Sequence, residues 1–266
     1  MQKNDHPLKG NVSTAVNWRL FGLLLSMVAV GSLALIPYGL TIAGEEFSSA
    51  MVPQLLSQFA VQILLYGVLI LAGMLLGRRI GLGAPVLEKL AAGDRPEGVS
   101  KSFLRSILVG LGAGLLMILA DVYLFAPLVK DQIQALGETV NPPAWQGFLA
   151  SFYGGIVEEI LTRFFLLTLL AWLGSLILRP KEGKTSPIVM WISILISGLI
   201  FGLAHLPTLV EMGIALTPIF IIRTLVLNAV GLYYGWLFWK RGLGYAMAAH
   251  FATDLAVHVL GALLLP

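Results

Sequence analysis

Apart from Arg19 and Arg105 at the starts of their runs, nine ionisable side chains fall inside stretches that are otherwise apolar: Asp121, Glu158, Glu159, Arg163, His205, Arg223, His250, Asp254 and His258. A charge at the centre of a bilayer costs roughly 2.5 to 3.5 kcal/mol on the mildest insertion scales, so such groups mark functional cavities or satisfy one another. In the run Glu158-Glu159-Ile-Leu-Thr-Arg163, Glu159 and Arg163 are four apart, the order that pairs a carboxylate with a guanidinium on one helix face. That pair is readable as a structural ion bridge. Glu158 is rotated by about 100° from its neighbour and cannot share the arrangement. A carboxylate left without a local partner is what general base chemistry requires. His250 and Asp254 share the four-residue spacing, with His258 one turn further, and His205 closes Phe201-Gly-Leu-Ala-His205. The His–Asp pair reads equally as mutual satisfaction or as catalytic machinery. Glu, His, His and Asp drawn from three different helices can activate water, hold a divalent metal or relay protons.

The elements that position them are membrane helices. Hydrophobic residues make up 58% of the 266 residues and Asp, Glu, Lys and Arg only 12%, about half the charged share of a soluble domain. Apolar runs at Trp18–Ala43, Leu55–Gly77, Phe103–Val129, Phe148–Leu178, Ile188–Leu206, Thr217–Trp239 and Leu243–Leu265 are each long enough to cross a bilayer core of about 30 Å. The predicted class is an all-α polytopic membrane protein, a bundle of about seven spans. The first run exceeds a signal-peptide core and is kept as a span. We expect one continuous membrane domain in which residues 1–145 supply three spans and a cytoplasmic loop, and residues 146–266 the catalytic-type core. A short helix is predicted at Ala84–Ala92, and a second short piece over Lys130–Trp145, ended by Asn141-Pro142-Pro143.

Charge follows topology. Arg78, Arg79, Lys89, Arg95, Lys101 and Arg105 lie between spans two and three, Arg179, Lys181 and Lys184 between four and five, and Lys240 and Arg241 between six and seven. The positive-inside rule puts the N-terminus in the cytoplasm and the C-terminus outside, in a cell inner or plasma membrane. The net charge of +3 is therefore no sign of nucleic acid. The chain has no cysteine, which removes disulfides, thiolate metal sites and cysteine nucleophiles together. Glycines at four-residue spacing (Gly73 and Gly77, Gly110 and Gly114, Gly198 and Gly202, Gly231 and Gly235) allow close helix approach in hydrocarbon. The run Gly110-Leu-Gly-Ala-Gly114 lies inside a span with no preceding strand, so it is not a dinucleotide loop.

Taken in order, Glu158-Glu159 with Arg163, Phe201 with His205, and His250 with Asp254 resemble the motifs of the CPBP intramembrane proteases. That group includes the type II CAAX prenyl endopeptidases and bacterial homologues of the bacteriocin-processing and immunity type. The resemblance covers roughly residues 146–260. It implies peptide-bond hydrolysis within the bilayer on a protein or peptide substrate. By motif position Glu158 would be the general base assisted by His205, His250 and Asp254 would polarise the scissile carbonyl and stabilise the oxyanion, and Glu159 and Arg163 would support the site. The family is described both as glutamate-type and as metal-dependent. Glu158, His205 and His250 would be the ligands if a divalent metal such as zinc is used, but no His-Glu-x-x-His helix enforces it.

Two departures carry expectations. Asp254 stands where many members have Asn, and as a carboxylate it is expected to orient His250. His205 and His250 fall at different depths, and meet only if span five continues through Pro207 or span seven starts deeper. Two other functions are compatible with the same residues: a proton-coupled transporter, and a non-catalytic membrane partner of the immunity or assembly type. Asp121, Arg223, Asn228 and His258 lie outside the motifs and are read as helix-pairing or supporting residues.

Overall fold

The computed structural model describes residues 16–96, 99–130, 142–178, 185–211 and 213–264. It is all-helical, with no strand among the described residues, and seven of its helices are long and apolar enough to cross a membrane. Helix α1 spans Trp18–Ile42, α2 Val52–Ile80, the short α3 Pro85–Ala92 and α4 Val99–Ala120. Next come α5 over Ala144–Ile177, α6 over Pro187–Leu203 and the short α7 over Leu206–Glu211. The last two are α8 over Pro218–Arg241 and α9 over Leu243–Leu264. The seven spans and the short helix after span two agree with the sequence. The piece expected over Lys130–Trp145 lies largely outside the described residues.

Local chemistry explains the boundaries. The Asn17 side chain accepts from the Leu20 N–H at 3.1 Å and caps α1. Gly81 ends α2 at φ 75°, a left-handed conformation that glycine takes without a Cβ penalty. Pro85 then opens α3, where its missing N–H costs nothing. The chain before α3 is fastened to the last span, because the Leu243 N–H donates to the Gly83 carbonyl at 3.1 Å.

Large apolar side chains such as Leu64, Leu116 and Ile177 point outward, as a lipid-facing surface requires. Between helices there is no hydrophobic drive in a bilayer, so close packing of small residues does the work. A Cβ at Gly73 would strike the Phe164 backbone of α5, and one at Gly114 would meet Ala256 and the Thr253 backbone of α9. Gly110 lies directly against the Ala249 backbone, with the Gly110 carbonyl accepting from Thr253 Oγ1 at 2.9 Å. Helix α4 is therefore pressed onto the helix that carries His250 and Asp254. Across the bundle, Arg223 of α8 grips Asp121 at the end of α4 through two 2.6 Å hydrogen bonds, the bidentate geometry that suits a guanidinium. Asn228 donates to the Thr224 carbonyl at 2.9 Å, bracing α8 where a 3₁₀ turn at Asn228–Val230 interrupts it.

Gly112, two residues from Gly110, meets no heavy atom that a Cβ would touch. Gly110→Ala is expected to destabilise the protein by about 1 to 3 kcal/mol through overpacking, whereas Gly112→Ala is neutral or stabilising by about 0.5 to 1 kcal/mol. Thermal unfolding of both variants in detergent micelles checks the contrast.

Candidate active site

The site is built where α5 abandons regular α-helical winding. Residues Tyr153–Glu158 and Ile160–Leu167 are wound as π-helix, flanking Glu159 on both sides. Such wide turns are rare and concentrate at functional sites. Here Gly154 and Gly155 let α9 approach. A Cβ on Gly155 would meet Phe251, and one on Gly154 would run into the Asp254 carboxylate and stop 3.5 Å from His250 Nε2. The adjacent glycines leave the room that Asp254 and His250 occupy.

Glu159 is fully buried, and its Oε1 accepts from two cations or potential cations. Arg163 Nη1 lies 2.9 Å away, one turn along the same helix, and His250 Nδ1 lies 2.8 Å away on α9. Arg163, only 1% exposed, is itself tightly satisfied. It donates to Thr162 Oγ1 and, at 2.9 Å, to the Gly231 carbonyl of α8. Its guanidinium lies over the rings of Phe201 and Tyr234, 4.9 and 5.3 Å from their centroids, a favourable cation–π arrangement. The i,i+4 pair read from the sequence is thus present, and Glu159 has a second task that the spacing did not reveal.

The imidazole of His250 is fixed on every side. Tyr234 stacks on it at 4.6 Å with an interplanar angle of 18°, and the Phe201 ring meets it edge-on at 5.8 Å. Because Nδ1 donates to Glu159, the nitrogen left facing the interior of the site is Nε2. Asp254 Oδ1 lies 3.5 Å from Nε2 and Glu158 Oε2 lies 3.9 Å from it. At least one proton must lie among these three groups, since an imidazole lone pair and carboxylate lone pairs facing one another repel. The carboxylate that orients His250 through Nδ1 is Glu159; Asp254, one turn along from His250, reaches the other nitrogen. Glu158 is 26% exposed, against 7% for His250 and none for Glu159, so it is the accessible acid of the cluster.

His205 sits where span five breaks. Pro207 has no N–H to give the helix, and the chain turns at residues 204–205 before resuming as α7. The His205 backbone N–H bonds to Gly202 at 3.3 Å instead of the carbonyl four residues back. Its side chain takes over that freed Phe201 carbonyl, through Nδ1 at 2.8 Å. Nε2 of His205 is therefore the outward nitrogen. Span five does continue beyond Pro207, and the Phe201 ring lies against both imidazoles, 4.8 Å from that of His205. No direct contact joins His205 to Glu158. His258, the other histidine on α9, faces the Tyr38 hydroxyl of α1 across 3.4 Å.

Among the described residues no group of three His, Asp or Glu side chains is arranged to hold a metal ion. Of the residues that complete the site, Tyr234 and the Gly231 carbonyl carry no spacing signal, because their partners His250 and Arg163 lie on other helices. The Gly154-Gly155 pair was the readable one: two adjacent glycines one turn before a membrane-embedded acid.

Fold and site together define a multi-pass membrane protein with a carboxylate–histidine centre inside the bundle. Residues 140–256 match the family model described as type II CAAX prenyl endopeptidase Rce1-like. The match agrees with the CPBP motifs, and the matched segment contains every member of the cluster. The family supports an intramembrane CAAX-type endopeptidase in general terms, acting on protein or peptide substrates. No curated protein and no solved structure matches the chain.

Removing one partner of a buried ion pair strands the other charge, at about 3 to 5 kcal/mol. Arg163→Met is therefore expected to lower stability by about that amount, and Glu159→Gln combined with Arg163→Met to recover most of it. Unfolding of the single and double variants in detergent measures this coupling. An unshifted transition for Arg163→Met would show that the pair does not hold the site.

Proposed function

We propose that the protein is a glutamate-type intramembrane endopeptidase in which Glu158 activates the attacking water. The observation that carries this is the division of labour between the two adjacent acids. Glu159 is buried, paired with Arg163 and bonded to His250, whereas Glu158 is half-buried and has no ionic partner closer than 3.9 Å.

Glu158 takes a proton from water as the resulting hydroxide attacks the scissile carbonyl. His250, held by Glu159 through Nδ1, presents Nε2–H to the developing oxyanion. An oriented donor in a water-poor site is worth most there, because it needs no reorganisation as the charge forms. Asp254 lies on the same nitrogen and balances the imidazolium. The proton held by Glu158 then passes to the leaving amine, and the peptide bond breaks. His205 contributes its outward Nε2 beside the Phe201 ring as an assisting donor or acceptor. The chemistry is assigned to side chains alone, a reading supported by the lack, among the described residues, of a group of three His, Asp or Glu side chains placed to hold a metal ion. In this reading residues 1–145 brace the core and 146–266 carry the reaction, with the N-terminus in the cytoplasm.

Glu158→Gln keeps the size of the side chain and removes the base. It is expected to lower cleavage of a membrane-anchored peptide by purified, vesicle-reconstituted protein by about 10² to 10⁴-fold, the usual range for a general base, while unfolding stays near wild type. Full activity in that variant would end the assignment. Prolonged treatment with zinc chelators is expected to leave the wild-type rate unchanged within twofold; a loss restored by added zinc would move the mechanism to metal-assisted hydrolysis.

A further inference from the structure

A second polar feature lies away from the cluster. Gln54, Gln58 and Gln62 recur at four-residue spacing on α2, and the next position in the series is Tyr66. They form a single stripe along the helix. Exposure falls steadily along it: Gln54 and Gln58 are exposed, Gln62 is half-buried and Tyr66 is buried. The three glutamines line a cavity of about 410 Å³ between α1 and α2, which also touches Ser32, Gly39 and Glu45. Glu45 belongs to the polar turn joining these helices, so the cavity begins at the water interface.

At its deep end the stripe runs into the site. Tyr66 of α2 is buried in the core of the bundle, and Tyr153 of α5 packs against that same core. Tyr153 and Glu158 open and close the same π-wound segment of α5. On its other side the cluster is bounded by the rings of Tyr234 and Phe201, which lie against His250. Hydrolysis consumes one water per turnover, and an ordered water needs two to four polar partners. Amides repeating about every 6 Å along a helix supply them; amides in contact with lipid chains would have none.

Resting on the proposed role of Glu158, we infer that the α1–α2 groove is the route by which water reaches that residue from the membrane face bearing the α1–α2 turn. Gln54, Gln58 and Gln62 carry the water, and Tyr66 with Tyr153 delivers it. The tyrosines and glutamines are positioning residues, since they act through the water rather than on the peptide.

The absence of cysteine in the chain gives a clean test. Single cysteines replacing Gln58, Gln62 and, as a lipid-facing control, Leu64 are reacted in vesicles with a charged, membrane-impermeant thiosulfonate. Only a hydrated thiol forms the reactive thiolate readily, so residues 58 and 62 are expected to label at least about tenfold faster than residue 64. Labelling is expected from the Glu45 side only. Equal protection of all three positions would overturn the route and mean that lipid chains fill the groove. Separately, Gln62→Leu is expected to lower kcat by about tenfold with KM within twofold, since water supply and not substrate binding is impaired; an unchanged kcat would also overturn it. If positions 58 and 62 label rapidly but wild-type protein cleaves no peptide, the wet groove stands and the protease reading is what fails.

Discussion

The structure depends on one buried contact set: Arg163, Glu159 and His250 joined through a single carboxylate oxygen. A carboxylate with no exposure is tolerable in a membrane bundle only if its charge is met at short range. Arg163 meets it from the same helix, and in turn is bound by Thr162, by the Gly231 carbonyl and by two aromatic faces. Because those partners sit on α5, α6 and α8, satisfying one charge ties together three helices. The remaining capacity of Glu159 is spent on His250, which brings in α9.

From that contact the geometry of the rest follows. With Nδ1 bound, His250 turns Nε2 towards Asp254 and Glu158, and Tyr234 keeps the ring from rotating. The widened turns of α5 place two adjacent acids on different tasks, one structural and one accessible. The glycine contacts, Gly110 under Ala249 and Gly154 beside Asp254, set how close the neighbouring helices can come. Stability and chemistry are therefore not separable here, because the ion pair that permits burial also orients the imidazole.

Much of this was legible in the sequence, for reasons that can be named. The seven spans were readable because hydrocarbon demands long apolar runs, and the Glu159–Arg163 pair because four residues is one turn. The continuation of span five past Pro207 is one of the two arrangements under which the sequence lets His205 and His250 meet, the other being a deeper start of span seven. What could not be read were relations between helices. Glu159 and His250 are 91 residues apart, and local periodicity says nothing of such a bond. The expectation that Asp254 would orient His250 rested on its being a carboxylate where many members have Asn, whereas a closer carboxylate from another helix, Glu159, bonds Nδ1 and Asp254 lies beside Nε2. The π-winding of α5 had only the Gly154-Gly155 pair as a hint. The Asp121–Arg223 pair, 102 residues apart, was visible only as two charges in need of partners.

Glu159, pinned by Arg163, holds the Nδ1–H of His250 so that Nε2 faces Glu158. Nitrogen-15 NMR of histidine-labelled protein in lipid bilayers reads it directly, with His250 assigned among the four histidines by loss of its signals in His250→Gln. The expected result is a protonated, strongly hydrogen-bonded Nδ1 in His250, with its shift moving when Glu159 is replaced by Gln. A bare Nδ1 with the proton on Nε2 alone, unchanged by that replacement, would contradict it.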